Sequence, residues 1–355
     1  MRTRAGIRKI LLGLAAGALG VGALVLVEFV LLRGRTPPIG TPGGIASLEK
    51  LPLGGVEQSL LIRGQDRFRP VLLFLHGGPG MPAMYLAHAF QRELERDFVV
   101  VHWDRRGAGR SVEAVGDSAP LSVSQTLADT HELTRHLRTR FGQDRIYLVG
   151  HSWGSYLGLL AVRDRPEYYA ALVGMGQLAG TRAEVDALRR DCARRLASGT
   201  EDSVAARADG PRRVTEDELF RCGAELHEAQ SFWPILRTGL AAPEYTIFDA
   251  LNVKRGADRV GREMRYDVEP RPLEGEVEKV DVPVFFFLGR HDLNTPSRLA
   301  AEYLDRLEAP LKYVVWFEES AHFPFFEQPV RFHEEMRRVA GTVSEFWRTT
   351  DPEGA

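Results

Sequence analysis

Short runs of consecutive apolar residues alternate, along most of this chain, with longer segments in which apolar positions recur at helical spacing. A short continuous apolar run is typical of a strand that is buried on both faces, whereas a period of about 3.6 residues is typical of an amphipathic helix. Because strands and helices alternate, we expect a mostly parallel sheet with helices on both faces, which is an α/β architecture. The predicted strands lie at residues 58–63, 71–75, 98–103, 146–149, 171–175, 282–288 and 313–317.

The alternation stops in the middle of the chain. Residues 177–280 are rich in charge and helical in pattern, and a capping box at Thr181 and Glu184 begins the first helix of this segment. The buried-strand pattern then resumes. We therefore predict a sheet core built from residues 58–176 and 281–350, with residues 177–280 inserted as a helical cap.

Residues 1–33 are predicted to form a membrane anchor. Basic residues near the start precede an uncharged, mostly apolar stretch at 10–27, which continues at 29–32 after Glu28. A bilayer-spanning helix needs about 20 residues, and the basic residues favour a cytoplasmic N-terminus. We expect the rest of the chain to be extracytoplasmic, joined to a single-pass anchor by a linker at 34–57 that contains Pro and Gly. A cleaved signal peptide, and hence a secreted protein, is the alternative interpretation.

Charge and cysteine content exclude some functions. The chain has 46 Lys and Arg residues against 48 Asp and Glu residues, mixed along its length, so no basic face for nucleic acid is expected. Cys192 and Cys222 match no metal-site spacing, and in the predicted cap a disulfide and two free thiols are both compatible with the sequence. No metal or cofactor site is predicted, because HELTRH at 131–136 lacks the i, i+4 histidine spacing and GAGR at 107–110 lacks the dinucleotide fingerprint.

One segment combines these elements with candidate chemistry. In GHSWG, residues 150–154, Ser152 stands between a predicted buried strand and a predicted helix. G-x-S-x-G at a strand-to-helix turn is the pattern of a nucleophile elbow, whose serine needs an acid and a base that follow in the order Asp, then His. Asp292 and His322 each come shortly after a later predicted strand. Because the carboxyl ends of parallel strands meet at one edge of a sheet, we predict a triad of Ser152, His322 and Asp292.

Each of these residues also has a simpler explanation when it is taken alone. A serine at such a turn serves equally as a helix N-cap, and an aspartate or a histidine is common in loops. The order of all three, together with a glycine-rich loop after an earlier strand, favours the catalytic interpretation.

A serine hydrolase also needs N–H donors for the negatively charged oxygen of its tetrahedral intermediate. The N–H of Trp153 lies in the first turn of the predicted helix, and the loop HGGPG at 76–80 follows a buried strand. We predict an oxyanion hole formed by the backbone N–H groups of Trp153 and Gly78, with Gly77 as the alternative to Gly78.

Together these motifs resemble the α/β-hydrolase superfamily, and within it the proline iminopeptidase (prolyl aminopeptidase) branch. The resemblance rests on HGGPG, WDRRGAGRS at 103–111, SWGS at 152–155, GRHD and AHFPFFEQP, which extend over residues 71–330. It implies the α/β-hydrolase fold with an inserted helical cap, no cofactor, and a serine hydrolase that acts through an acyl-enzyme on small peptides with N-terminal proline. A carboxylic ester or amide hydrolase is the alternative, and a non-catalytic ligand-binding protein of the same fold is a second one.

The resemblance also indicates where substrate binds. The branch holds the free amine of its substrate with glutamates of the cap, and here Glu225 and Glu228 stand just before an aromatic pair that ends in Trp233. These three are the candidate substrate-binding residues, and solvated helix charges are the alternative explanation for the two glutamates. The chain departs from the usual Gly, Gln and Gly of the branch at His151, Arg105 and Ala321.

Overall fold

The computed structural model describes residues 33–350, apart from 117–119, 198–213, 265–272 and 274, together with six isolated positions between residues 13 and 22. The strands in this part of the chain are β1 (Ile45–Leu53), β2 (Val56–Gly64), β3 (Val71–Leu75), β4 (Val99–Asp104), β5 (Ile146–His151), β6 (Tyr169–Met175), β7 (Val284–Gly289) and β8 (Lys312–Phe317). They form one sheet in the order β1-β2-β4-β3-β5-β6-β7-β8. β2 is antiparallel to both of its neighbours, and the remaining pairs are parallel.

Helices cover both faces of this sheet. The described α-helices are α1 (Ala87–Phe90), α2 (Val123–Phe141), α3 (Trp153–Asp164), α4 (Arg182–Ala197), α5 (Glu216–Arg221), α6 (Trp233–Leu240), α7 (Ile247–Glu263), α8 (Ser297–Arg306), α9 (Pro324–Glu327) and α10 (Pro329–Thr350). Successive residues of β3 enter opposite faces, as the period of two in a strand requires. Leu73 belongs to a cluster with Leu133 of α2 and Leu157 of α3, whereas Phe74 packs on Phe325 of α9. The predicted α/β architecture is confirmed.

The predicted linker at 34–57 is wrong over its second half, because β1 and the start of β2 lie there. The two strands form a hairpin that turns at Gly54 and Gly55. Most residues of β1 are only half-buried, since it is an edge strand. It therefore lacks the continuous apolar run that predicts the other strands, and the stretch without strand or helix ends at Gly44.

The predicted anchor at residues 1–33 falls outside the described residues, except for Arg33 and the six isolated positions. In the part of the chain that is described, no helix is both long enough and apolar enough to cross a bilayer.

The segment between β6 and β7 contains four of the described helices, α4 to α7. Capping boxes begin three of them, α4 at Thr181 as predicted, α5 at Thr215 and α7 at Thr246. Cys192 of α4 forms a disulfide with Cys222, which follows α5, and their Cα atoms are 5.9 Å apart. The sequence is compatible with a disulfide and with two free thiols, and the structure has the disulfide.

Candidate active site

Ser152 occupies a strained turn between β5 and α3. Its backbone has φ 54° and ψ −124°, and it is the one non-glycine residue with positive φ in the described chain. A Cβ atom at Gly154 would lie 2.1 Å from the carbonyl oxygen of Leu75, and a Cβ atom at Gly150 would lie 2.4 Å from the carbonyl oxygen of Gly154. The flanking residues must therefore be glycine. The Ser152 side chain makes no capping hydrogen bond to α3, which removes the N-cap explanation.

Asp292 and His322 form a buried hydrogen-bonded pair at the carboxyl ends of β7 and β8. Nδ1 of His322 lies 2.9 Å from Oδ2 of Asp292. Thr295 also holds the carboxylate, because its hydroxyl donates to Oδ2 at 2.8 Å and its backbone N–H donates to Oδ1 at 2.9 Å. A carboxylate fixed in this way keeps the proton of the imidazole on Nδ1 and leaves Nε2 free to act as a base.

The charge on His322 is stabilised by its surroundings. Burial alone would lower the pKa of His322, but the carboxylates of Asp292 and Glu225 outweigh burial and raise that pKa to about 9. This environment favours the imidazolium that a general base becomes when it takes a proton from the nucleophile.

Ser152 and His322 line the same cavity, which has a volume of about 360 Å³. Among the described residues, no hydrogen bond joins the hydroxyl of Ser152 to the ring of His322. Catalytic hydrogen bonds are often long or poorly aligned in enzymes without substrate and tighten only in the complex. The structure therefore places the predicted nucleophile, Ser152, and the predicted base, His322, around one cavity, and proton transfer between them stays a prediction.

Gly176, directly after β6, makes room for the imidazole. Its φ is +50°, and a Cβ atom there would lie 2.7 Å from Cε1 of His322. Sequence reasoning missed this residue, because only the folded chain brings the end of β6 next to the loop after β8.

We expect Gly176→Ala to reduce kcat on the order of 10²-fold, since displacing a catalytic group by about 1 Å has effects of that size. Gly142→Ala is the matched control, because Gly142 also has a left-handed backbone, with φ +62°, but faces open space. Both variants should lose thermal stability, and only Gly176→Ala should lose turnover of a short p-nitrophenyl ester. Equal turnover in the two variants would contradict the prediction.

The predicted oxyanion donors lie beside Ser152. The N–H of Trp153 is in the first turn of α3, where backbone N–H groups have no partner within the helix and the helix dipole is positive. Gly77 and Gly78 line the cavity, and a Cβ atom at Gly77 would lie 2.8 Å from Cβ of Ser152. The loop therefore packs directly on the nucleophile, and the choice between Gly77 and Gly78 as the second donor stays open.

The side chain of Arg105 is hydrogen-bonded to the HGGPG loop at residues 76–80. Its Nη2 donates to the carbonyl oxygens of His76, Gly77 and Pro79 at 2.7, 3.2 and 2.9 Å, and its guanidinium stacks over the ring of Trp153 at 4.7 Å. Burial lowers the pKa of Arg105 to about 9. The signal in the sequence is the arginine at a position where the branch usually has glutamine, but its contacts depend on the tertiary fold.

Of the predicted substrate-binding residues, only Glu225 lines the cavity. Its side chain is buried, Oε1 accepts a hydrogen bond from Asn294 at 3.1 Å, and Oε2 has no partner in the described chain. Burial raises the pKa of Glu225 to about 7, and the neighbouring His322 opposes that shift. The main-chain oxygen of Glu225 accepts the N–H of His322 at 3.1 Å, so the cap contacts the catalytic loop directly.

The sequence prediction that Glu228 and Trp233 bind substrate is corrected by the structure, because both side chains are exposed and neither lines the cavity. Glu228 lies in a non-helical turn, so a spacing of three residues does not bring it to the same side as Glu225. Phe232 lines the cavity instead of Trp233. Successive residues at a helix start point about 100° apart, so these two neighbours cannot share one face.

Arg189 of α4 is a cavity residue that sequence reasoning missed. Its guanidinium donates to the carbonyl oxygen of Leu293 at 3.1 Å and to Oδ1 of Asn294 at 2.7 Å. Burial lowers its pKa, while Asp292 and other acidic neighbours raise it. Arg189 thus ties the cap to the loop that carries the acid. No cluster of His, Cys, Asp and Glu suited to a metal occurs among the residues described.

Comparisons with known proteins identify the family and the fold. A family model described as the alpha/beta hydrolase fold matches residues 70–329. The probable aminopeptidase YbaC of Bacillus subtilis is 31% identical over 309 residues, which cover 83% of this chain and 96% of that protein. A proline iminopeptidase of Lactobacillus delbrueckii subsp. lactis is 25% identical over 301 residues, which cover 80% and 94% of the two chains.

A solved structure has the same fold. The proline iminopeptidase-related protein of Thermus thermophilus superimposes with a TM-score of 0.57 at 20% identity, over 84% of this chain and 98% of that one.

Proposed function

We propose that this chain, which belongs to the α/β-hydrolase family near its proline iminopeptidase branch, is a serine hydrolase that acts through an acyl-enzyme. The observation that carries the proposal is the strained Ser152, which faces the same cavity as the buried Asp292–His322 pair. A binding protein that had lost catalysis would have no need for a nucleophile held in an unfavourable backbone conformation.

In the proposed mechanism, the hydroxyl of Ser152 attacks the substrate carbonyl while Nε2 of His322 takes its proton. The N–H groups of Trp153 and the glycine loop stabilise the oxyanion. His322 then gives the proton to the leaving group, an acyl-Ser152 ester remains, and a water molecule activated by the same imidazole hydrolyses it. Asp292 orients the ring and stabilises its positive charge throughout.

Peptidase action on small peptides with a free N-terminus, N-terminal proline above all, is the proposed activity. The volume of the cavity suits a small substrate. Oε2 of Glu225 is buried and has no hydrogen-bond partner in the described chain, so it can accept a hydrogen bond from the ammonium group of a substrate. Cleavage of prolyl-β-naphthylamide tests this assignment. Hydrolysis of short p-nitrophenyl esters without any cleavage of the prolyl amide would instead favour the alternative, a carboxylic ester hydrolase.

We expect Glu225→Gln to reduce kcat/KM for prolyl-β-naphthylamide by about 10- to 100-fold, as the loss of one charged hydrogen bond predicts. With an uncharged ester, the acidic limb of the pH profile should move to lower pH. The acidic limb moves in this direction because His322 must be neutral to act as a base. The negative charge of Glu225 raises the pKa of His322, so removal of that charge lowers it.

Glu228→Gln is the matched control, because that side chain is exposed and outside the cavity. It should change neither measurement. An unshifted ester profile together with an unchanged prolyl amide rate in Glu225→Gln would remove Glu225 from the substrate site.

We also propose that residues 1–33 anchor the enzyme in a membrane with its catalytic domain extracytoplasmic. The support is the uncharged apolar stretch behind a basic N-terminus, together with the Cys192–Cys222 disulfide, which fits an oxidising compartment. Flotation of the full chain with lipid vesicles tests the anchor, and a secreted protein shortened at its N-terminus would support signal cleavage.

A further inference from the structure

Five large exposed apolar side chains belong to two neighbouring cap helices. We call them the cap apolar face: Trp233 and Leu236 of α6, and Ile247, Phe248 and Leu251 of α7. Trp233 and Leu236 are three positions apart, and Leu251 lies three positions after Phe248 and four after Ile247, so each of these pairs lies on one side of its helix. Exposed apolar residues scattered singly need no explanation, but a group on adjacent helices marks an interaction surface.

The N-terminal segment joins the domain beside this face. The N–H groups of Gly34 and Arg35 donate to the carbonyl oxygen of Pro243 at 2.9 and 3.2 Å. A Cβ atom at Gly34 would lie 3.0 Å from Cγ2 of Thr246, the N-cap of α7. Gly34, which follows the apolar stretch by two residues in the sequence, therefore lies next to Thr246, one residue before Ile247.

We propose that the cap apolar face rests on a lipid bilayer, and the inference uses the membrane anchor proposed above. A segment that leaves the bilayer at Arg33 brings the first turn of α7 to the lipid surface. Aliphatic and aromatic side chains enter the boundary between headgroups and acyl chains, where tryptophan is especially favoured. Arg35 and Arg237, which are exposed in the same two segments of the chain, suit anionic headgroups.

This orientation also places a groove that adjoins the active-site cavity near the lipid surface. A groove of about 640 Å³ between α6 and α7 is lined by apolar residues that include Leu236 and Leu240, and by the charged residues Glu216, Asp217, Lys254 and Asp258. It shares Met81, Tyr85 and Phe232 with the catalytic cavity.

The experiment uses the full chain reconstituted in phosphatidylcholine–phosphatidylglycerol vesicles, with or without brominated acyl chains. Bromine quenches tryptophan emission only at short range, and Trp233 is a natural probe because 60% of its surface is exposed. The difference in emission between the native protein and Trp233→Phe is the signal of Trp233. We expect brominated lipid to quench that signal and to leave the emission of Trp233→Phe nearly unchanged.

Paired variants test the face itself. Phe248→Glu/Leu251→Glu should weaken the quenching of Trp233, whereas Phe68→Glu/Val330→Glu should not. The control pair is matched in exposure, since Leu251 and Val330 are each 68% exposed, but it lies outside the cap. Circular dichroism and turnover of a water-soluble ester establish that all variants are folded.

Two results would overturn the inference. If the protein floats with the vesicles but Trp233 is not quenched, the anchor stands and the docking surface is wrong. If the protein does not float, the anchor and the docking surface both fall, whereas the hydrolase assignment is judged separately by turnover of the soluble ester.

Discussion

Replacement of Ser152 by alanine is expected to reduce kcat on the order of 10⁶-fold, as the loss of a serine nucleophile does when binding is kept. The physical reason is that, among the described residues that line the cavity, no serine, threonine or cysteine besides Ser152 is present to form the acyl-enzyme. The residual rate comes from the oxyanion donors and substrate positioning alone. Turnover of a short p-nitrophenyl ester and thermal unfolding, measured on the same preparation, check the result.

Ser152→Gly separates function from stability at this position. Glycine accepts the positive φ of the turn, whereas serine is held there against a cost of about 1–3 kcal/mol. The glycine variant should therefore be at least as stable as the native protein and equally inactive. A less stable but active glycine variant would mean that Ser152 has a structural role.

Asp292→Asn has the second largest expected effect, a loss of kcat on the order of 10⁴-fold with the fold retained. Thr295 donates one hydrogen bond to each oxygen of the native carboxylate. In an asparagine, an NH₂ group replaces one of these two oxygens. If it replaces Oδ1, it faces the N–H donor of Thr295, and if it replaces Oδ2, it faces Nδ1 of His322. In the second case the ring adopts the other tautomer, with Nε2 protonated and unable to act as a base.

The measurement is kcat at a pH where the native imidazole is neutral, together with the thermal unfolding temperature. Asp305→Asn on α8 is the control, because that carboxylate is exposed and outside the active-site cavity. Near-native turnover in Asp292→Asn would show that another residue supplies the acid.

The fold and the positions of the three candidate catalytic residues could be predicted because both depend on local pattern. Buried strands appear in the sequence as apolar runs, and β3 occupies the residues predicted for it, 71–75. Ser152, Asp292 and His322 each follow such a strand, and strand polarity alone brings them to one edge. β1 was missed for the opposite reason, since a half-buried edge strand has no apolar run.

The supporting residues of the site could not be predicted in this way. Gly176, Arg105 and Arg189 act through contacts between segments that are distant in sequence. The sequence marks Arg105 as a departure from the branch, but it reveals none of these contacts. Substrate contacts in the cap depend on how short helices and turns pack over the sheet. For this reason Glu225 faces the cavity, whereas Glu228 and Trp233, chosen by nearness in sequence, do not.

The most direct test of the account is covalent labelling by a fluorophosphonate, followed by mass analysis of the peptides. The account predicts one adduct, on the hydroxyl of Ser152, formed rapidly by the native protein and lost in His322→Ala although that variant stays folded. An unlabelled native protein, an adduct on a different residue, or labelling that is as fast without the imidazole would contradict it.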